Sequence, residues 1–459
     1  MFTTRSRAVA LATLTSLALL AGCGSSSNDN KPDAPTGLKV VPGDGQVTIT
    51  WDDQSATSDL RYWLFKAQAE NATRDDYRKY PEAGIIAPVT SPYILSGLTN
   101  GLPYSFFLNA THGNGPAGGE TPTAGNIIPR QSGSVWTTNV AAGAGNLNHV
   151  SFAYSRFLAV GDSGAVQVGT VSWATGTPVL TWASAGTVPA LAGSASSQPK
   201  LYGAAYNSTT PRTVTVGDLD GNGKAAIWTS DGSSTNYLDQ WVARSSNTTS
   251  ALHGIALGSV GFVAVGDSGA VSISADGVTW TAYRLTVDTA ANTANNATDR
   301  YTASASAAAD ASINLKSISV LNGTYYAVGD NGWIITSSDG ISWRKHTVTA
   351  SAPANLTSVT YGYYNEAIYL AVGSDGKVYR NTDPSTLAWT EIAVPGMGDM
   401  KAVAHGSRFM AVGAAGQAWV SNDGKTWVAT STGANENSVL WYSGGYIAVG
   451  DGGNVVTSY

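Results

Sequence analysis

An apolar run ending in Val-Gly occurs seven times in residues 131–459, at Val160, Val216, Val265, Val328, Val372, Val412 and Val449. The spacings are 56, 49, 63, 44, 40 and 37 residues. A repeat of roughly 40–50 residues, made of short β-forming runs and glycine turns, has the period of a propeller blade. The fuller copies, 262–271 and 326–334, read as two strands joined by a tight turn, with glycine expected to supply a positive φ. Seven copies predict seven blades. The last copy stops at Val455-Val456-Thr457-Ser458-Tyr459, one strand short. Ser134-Val135-Trp136-Thr137, at the start of the repeats, reads as the missing outer strand. Pairing the two ends would close the ring and remove the open sheet edge.

Composition agrees with an all-β chain. Only 12% of the 459 residues are charged, against about 25% in an average soluble protein, and 52 are glycine. Helical bundles need more charge on their outer faces, whereas many tight turns need glycine. The 43% hydrophobic content is enough to build cores, which argues against disorder. A net charge of −6 provides no basic footprint for nucleic acid. One cysteine permits neither an internal disulfide nor a CxxC metal site.

A second turn follows the Val-Gly turn in most copies. Ser274-Ala275-Asp276-Gly277-Val278-Thr279-Trp280 is one example, and Ser337-Ser338-Asp339-Gly340-Ile341-Ser342-Trp343 and Ser421-Asn422-Asp423-Gly424-Lys425-Thr426-Trp427 repeat it. This pattern resembles the Asp-box (BNR) repeat of sialidase-like propellers and of the photosystem II assembly-factor family, with one residue fewer between Asp and Trp. The resemblance implies that the Asp-box face is structural and that the opposite face holds the site. The longest insertion, 281–314, connects blades three and four and is expected on that opposite face, as a flap or a short helix.

The N-terminal third has a different organisation. Arg5 and Arg7 precede the short apolar run 8–20, too short for a bilayer that needs about 20 apolar residues, so 1–22 reads as a signal peptide. Leu20-Ala21-Gly22-Cys23 resembles a bacterial lipobox, which implies lipidation of Cys23, with 23–32 as a flexible tether. Gly24 stands where an inner-membrane retention Asp would sit, so the resemblance points to the outer membrane or cell surface. Residues 33–128 carry the period-two alternation of an antiparallel sandwich. Pro35-Thr36-Gly37-Leu38, Trp51 and the Leu98/Tyr104 spacing resemble a fibronectin type III domain, which implies a spacer or weak binding module.

Aligning the first strand of each blade backwards from Val-Gly places Asn148, Tyr202, His253, Lys316, Thr357, Lys401 and Asn437 at one register position. These seven are the candidate ligand-binding residues, a polar ring near one channel mouth. Asp218, Asp220 and Asn222 alternate oxygen side chains like the start of a calcium loop, although Thr229 stands where the closing Glu would be. Calcium is therefore the one candidate cofactor. A sialidase-like glycoside hydrolase is the alternative function, but hydrolysis usually needs two placed carboxylates. The propeller region has only Glu366, Glu391 and Glu436, and its aspartates fall mostly in turns. No catalytic residue is assigned. The expectation is a non-catalytic, lipid-anchored envelope protein that binds or scaffolds a protein or glycan partner.

Overall fold

The computed structural model describes residues 31–458 except 56–58, 114, 117, 142, 144, 173–178, 190–197, 232–237, 239, 296, 351–352 and 443. Cys23 and the signal peptide lie outside the described residues. The N-terminal part is a two-sheet sandwich. Lys39–Gly43, Gln46–Thr50 and Tyr93–Ser96 form one sheet in that order. Gly84–Val89, Arg61–Ala67, Tyr104–Thr111 and Ala124–Ile127 form the other. Val47, Ile49, Trp51, Tyr62, Leu64, Tyr104 and Phe106 fill the space between them. The Thr99 amide donates to the Tyr104 hydroxyl at 3.0 Å, tying the chain before that strand to its start.

The remainder is a seven-bladed β-propeller. The innermost strands are Leu147–Ala153, Leu201–Asn207, Leu252–Gly258, Leu315–Leu321, Leu356–Tyr364, Met400–His405 and Glu436–Tyr442. Each starts an antiparallel sheet that runs outward, so the Val-Gly turns share one face and the Asp-box turns the other. Seven apolar clusters fill the seven seams between neighbouring blades. In the seam between blades seven and one, Leu147 and Val150 meet Ile447, Val449 and Val455. A sheet buried on both faces has little use for charged side chains, which accounts for the composition.

The ring closes as expected, with a shifted register. The outer strand of blade seven is Thr137–Val140, paired antiparallel with Asn454–Ser458 so that Thr138 faces Val456. The expected strand at 134–137 therefore begins three residues later. Gly133, at φ 81°, and the Ser134-to-Gln131 amide bond make a turn there, and Trp136 packs into the seam between blades six and seven. Ser458 Oγ accepts the Gly133 amide at 2.8 Å and anchors that turn to the chain end.

The Val-Gly glycine works differently from expectation. Its φ is extended, between −160° and −172° in the six copies with a tight turn. The positive φ falls on the next residues, for example Ser163 at 54° and Asn331 at 55°. What demands glycine is close approach. At all seven positions a Cβ would overlap the carbonyl oxygen of the residue preceding the innermost strand, from Asn146 in blade one to Asn435 in blade seven. That carbonyl accepts the amide of the residue after the glycine, as in Asp162 to Asn146 at 2.9 Å and Asp451 to Asn435 at 3.1 Å.

The 281–314 insertion is a strap rather than a flap over the channel. Thr281–Val287 is the outer strand of blade three, Thr289–Asn295 is a short helix, and Arg300–Ser304 returns beside Thr281–Val287. Arg300–Ser304 also pairs with Ser342–Lys345 of blade four, joining two blades into one nine-stranded sheet. Unpaired backbone on two outer edges favours this pairing over a free loop.

Candidate functional site

The innermost strands enclose a channel of about 900 Å³, and all seven ring residues line it. They share this position because each is the unpaired residue of the same bulge, the one skipped where its strand pairs with the Val-Gly residues. Their roles differ. Asn148 Nδ2 donates to the Leu201 carbonyl at 3.0 Å and to Asp162 Oδ1 at 3.0 Å. Asn437 Nδ2 does the same, to the Leu147 carbonyl at 3.0 Å and to Asp451 Oδ1 at 2.9 Å. Thr357 Oγ1 donates toward the Met400 carbonyl at 2.8 Å. These three stitch one blade to the next.

Tyr202, His253 and Lys401 make no such stitch among the described residues, and Lys316 reaches the neighbouring blade three through a carboxylate rather than a carbonyl. His253 Nε2 lies 2.9 Å from Asp267 Oδ1, and Lys316 Nζ lies 3.1 Å from the same oxygen and 3.8 Å from Asp330. His253 and Lys316 hold the Asp267 carboxyl at about 2 against the opposing effect of its burial. The Tyr202 ring centroid is 5.0 Å from that of His253. Burial, reinforced by Asp218, Asp162 and Asp267, pushes the Tyr202 hydroxyl up to about 12, so it stays a neutral donor. Lys401 is exposed and pairs with no carboxylate among the described residues. The mouth thus offers a phenol, an imidazole and two ammonium groups, three of them beside turn aspartates.

The Asp-box turns behave as scaffold. In the copy at 337–343, Asp339 Oδ1 accepts the Ile341 and Ser342 amides at 2.8 and 2.7 Å. Ser337 Oγ accepts the Gly340 amide, and Trp343 Nε1 donates to the Gly340 carbonyl, both at 2.8 Å. The copies at 274–280 and 421–427 repeat the set. Arg212 and Arg380 reach from the preceding blade to the carbonyls of Asp276 and Asp423.

At the calcium candidate, Asp220 Oδ1 accepts the Asn222 and Lys224 amides, both at 2.8 Å, and Asp218 Oδ1 accepts the Leu219 amide at 2.8 Å. The loop therefore closes on its own backbone, with Lys224 beside it. Among the described residues no group of three or more His, Cys, Asp or Glu side chains could hold a metal.

Two features escaped the sequence reading. Glu436 occupies the place held by Leu or Met in the other six blades. It is fully buried, and one oxygen accepts from Asn454 Nδ2. Burial pushes its carboxyl up to about 8. The other feature is the far channel mouth, where Phe152, His405 and Trp441 lie four positions after the ring residue in their strands. Extending the same alignment one position back would have exposed the first, and four positions toward the hairpin the second.

The family described as the DUF6242 beta propeller domain matches residues 283–397, less than half of the chain. The fold is a β-propeller. The WD40 β-propeller domain of Doa1 is similar over 71% of this chain and 97% of its own, at 9% identity and a TM-score of 0.51. YCF48 bound to D1 peptide is similar over 70% of this chain and 94% of its own, at 16% identity and a TM-score of 0.49. No curated protein matches. At such identities the likeness is one of architecture, and function must come from the site.

Proposed function

We propose that this chain is a non-catalytic, lipid-anchored envelope protein whose propeller holds a protein or glycan partner at the Val-Gly mouth of its channel. The carrying observation is the division of the ring: three members are tied to backbone carbonyls of the next blade, whereas Tyr202, His253, Lys316 and Lys401 bring a phenol, an imidazole and two ammonium groups to the channel mouth, with Lys401 exposed and without a carboxylate partner among the described residues. The turn aspartates there act as acceptors for these groups and for backbone amides, which suits recognition better than proton transfer. The sandwich strand order and the Thr99–Tyr104 hydrogen bond support a fibronectin type III spacer. Cys23, by its lipobox-like context, would carry the anchor.

Capture from an envelope extract on the purified full chain tests the reading. One defined partner should be retained and then lost with Lys401→Glu, whereas hydrolysis of a glycan by the purified chain would replace this reading with the enzyme. Labelling with a radioactive fatty acid checks the anchor. Incorporation should disappear in Cys23→Ser, and an unlabelled wild-type chain would remove the anchor from the proposal.

A further inference from the structure

We propose that the opposite, hairpin-side mouth of the channel is a second binding site, which takes a neutral saccharide. The two halves of the channel differ in chemistry. Its charged lining residues, Lys316, Lys401 and Asp330, belong to the Val-Gly end. Beyond Ser151 the described wall carries no Lys, Arg, Asp or Glu, and it ends in Phe152, Leu257, Val320, His405 and Trp441. Burial lowers the His405 imidazole below its ordinary value, so the ring is uncharged at neutral pH. A charged ligand inside this wall would lose its hydration without meeting a counter-charge.

The aromatic groups are held in place. Phe152 packs against Tyr442 at 4.7 Å and Phe157 at 5.4 Å between centroids, yet its ring stays 37% exposed. Trp441 is held edge-on by Tyr446 at 4.9 Å. Fixed rings lose little conformational freedom when a ligand stacks on them. Blade five adds the strands Leu356–Tyr364 and Glu366–Gly373, whose connecting tip on this face carries Tyr363 and Tyr364, 65% and 46% exposed.

Hydroxyls complete the site. Ser151, Ser319 and Thr360 line the wall beside the aromatic end. Ser151 Oγ is buried with no hydrogen-bond partner among the described residues. A sugar ring supplies both needs, with an apolar C–H face for the rings and hydroxyls for the wall. The sandwich borders this mouth, since Ser407 Oγ donates to Asp44 at 2.7 Å and Gln46 abuts Gly444 in the hairpins of blades six and seven. This site is independent of the partner at the other mouth.

Calorimetric titration of the full chain with cellotetraose, maltotetraose, N-acetylated chitotetraose and xylotetraose tests it, with trigalacturonate as the anionic control. At least one neutral sugar should bind with a Kd of about 1 mM or tighter, with little dependence on added salt. Tyr363→Ser, an exposed change that leaves the fold intact, should weaken that binding roughly tenfold. Phe152→Ser should weaken it further, and Lys401→Ser at the other mouth should leave it unchanged. No binding of any neutral sugar at about 10 mM, binding of trigalacturonate alone, or indifference to both aromatic substitutions would overturn the proposal.

Discussion

At the Val-Gly positions a hydrogen atom on Cα is a structural requirement, because the carbonyl of Asn314 lies where a Cβ on Gly329 would stand. Gly329→Ala must push the innermost strand of blade four off its partner and break the Asp330–Asn314 bond of 2.9 Å. A loss of roughly 2–4 kcal/mol is expected, read as a lowered denaturation midpoint; an unchanged midpoint would contradict the close-approach account. Glu436 makes a different prediction, in pH. Its folded value of about 8 stands above its ordinary 4.5, so the folded chain holds the extra proton between those values. Its contribution is whole below about 4.5 and is lost as pH rises toward 8. Glu436→Gln keeps the acceptor for Asn454 and removes the proton. It should flatten stability across that window and raise Tm at pH 8, as measured by thermal melts. His346 sets the acid limit, with burial holding it at about 4. Its Nδ1 accepts from Trp389 Nε1 at 3.0 Å, so protonation would set two donors against each other. Stability from this group is present above 6.5 and lost as pH falls through 4.

The Asp-box turn is a self-contained element in which one carboxylate and one hydroxyl serve three amides before the Trp locks the loop. Asp339→Ala should cost about 1–2 kcal/mol by orphaning the Ile341 and Ser342 amides. Faster hydrogen exchange at those two amides, with the channel rim unaffected, is the expected signature. Much at this scale was legible in the sequence, because each blade hides its faces in the same way and so repeats the same residues. Blade number, both turn classes and the ring position followed from the Val-Gly register. The strap at Arg300–Ser304 was not legible, since its pairing depends on two outer edges far apart in sequence lying side by side. Nor was the division of the ring. Asn148 and Lys316 share one register position, but only the short amide side chain reaches the next blade's carbonyl. Ligand identity, unlike blade number, is written in single residues that do not repeat.

Closure is a property of the whole molecule. Thr137–Val140 and Asn454–Ser458 lie more than 300 residues apart and meet over four pairs. Bringing such distant ends together costs about 5 kcal/mol of chain entropy, while each of the other six blades is completed by residues close in sequence. The joint must therefore draw on the seam packing of Val455 and Val456, both fully buried, as well as on its four pairs. If the ring opened, Asn454–Ser458 would become a bare apolar edge able to pair with another chain. Thr138→Pro isolates this effect, because Thr138 is exposed and its side chain contributes little to either seam. Proline there disrupts the short ladder by about 3 kcal/mol. The substitution should lower Tm and produce concentration-dependent association in light scattering, with exchange fastest at Asn454–Ser458. The same substitution at Thr430, in the outer strand of blade six, removes pairing with Ala418 but leaves blade seven and the two chain ends joined. It should lower Tm without association. If both variants associate equally, exposure of the closure edge is not the cause of the association.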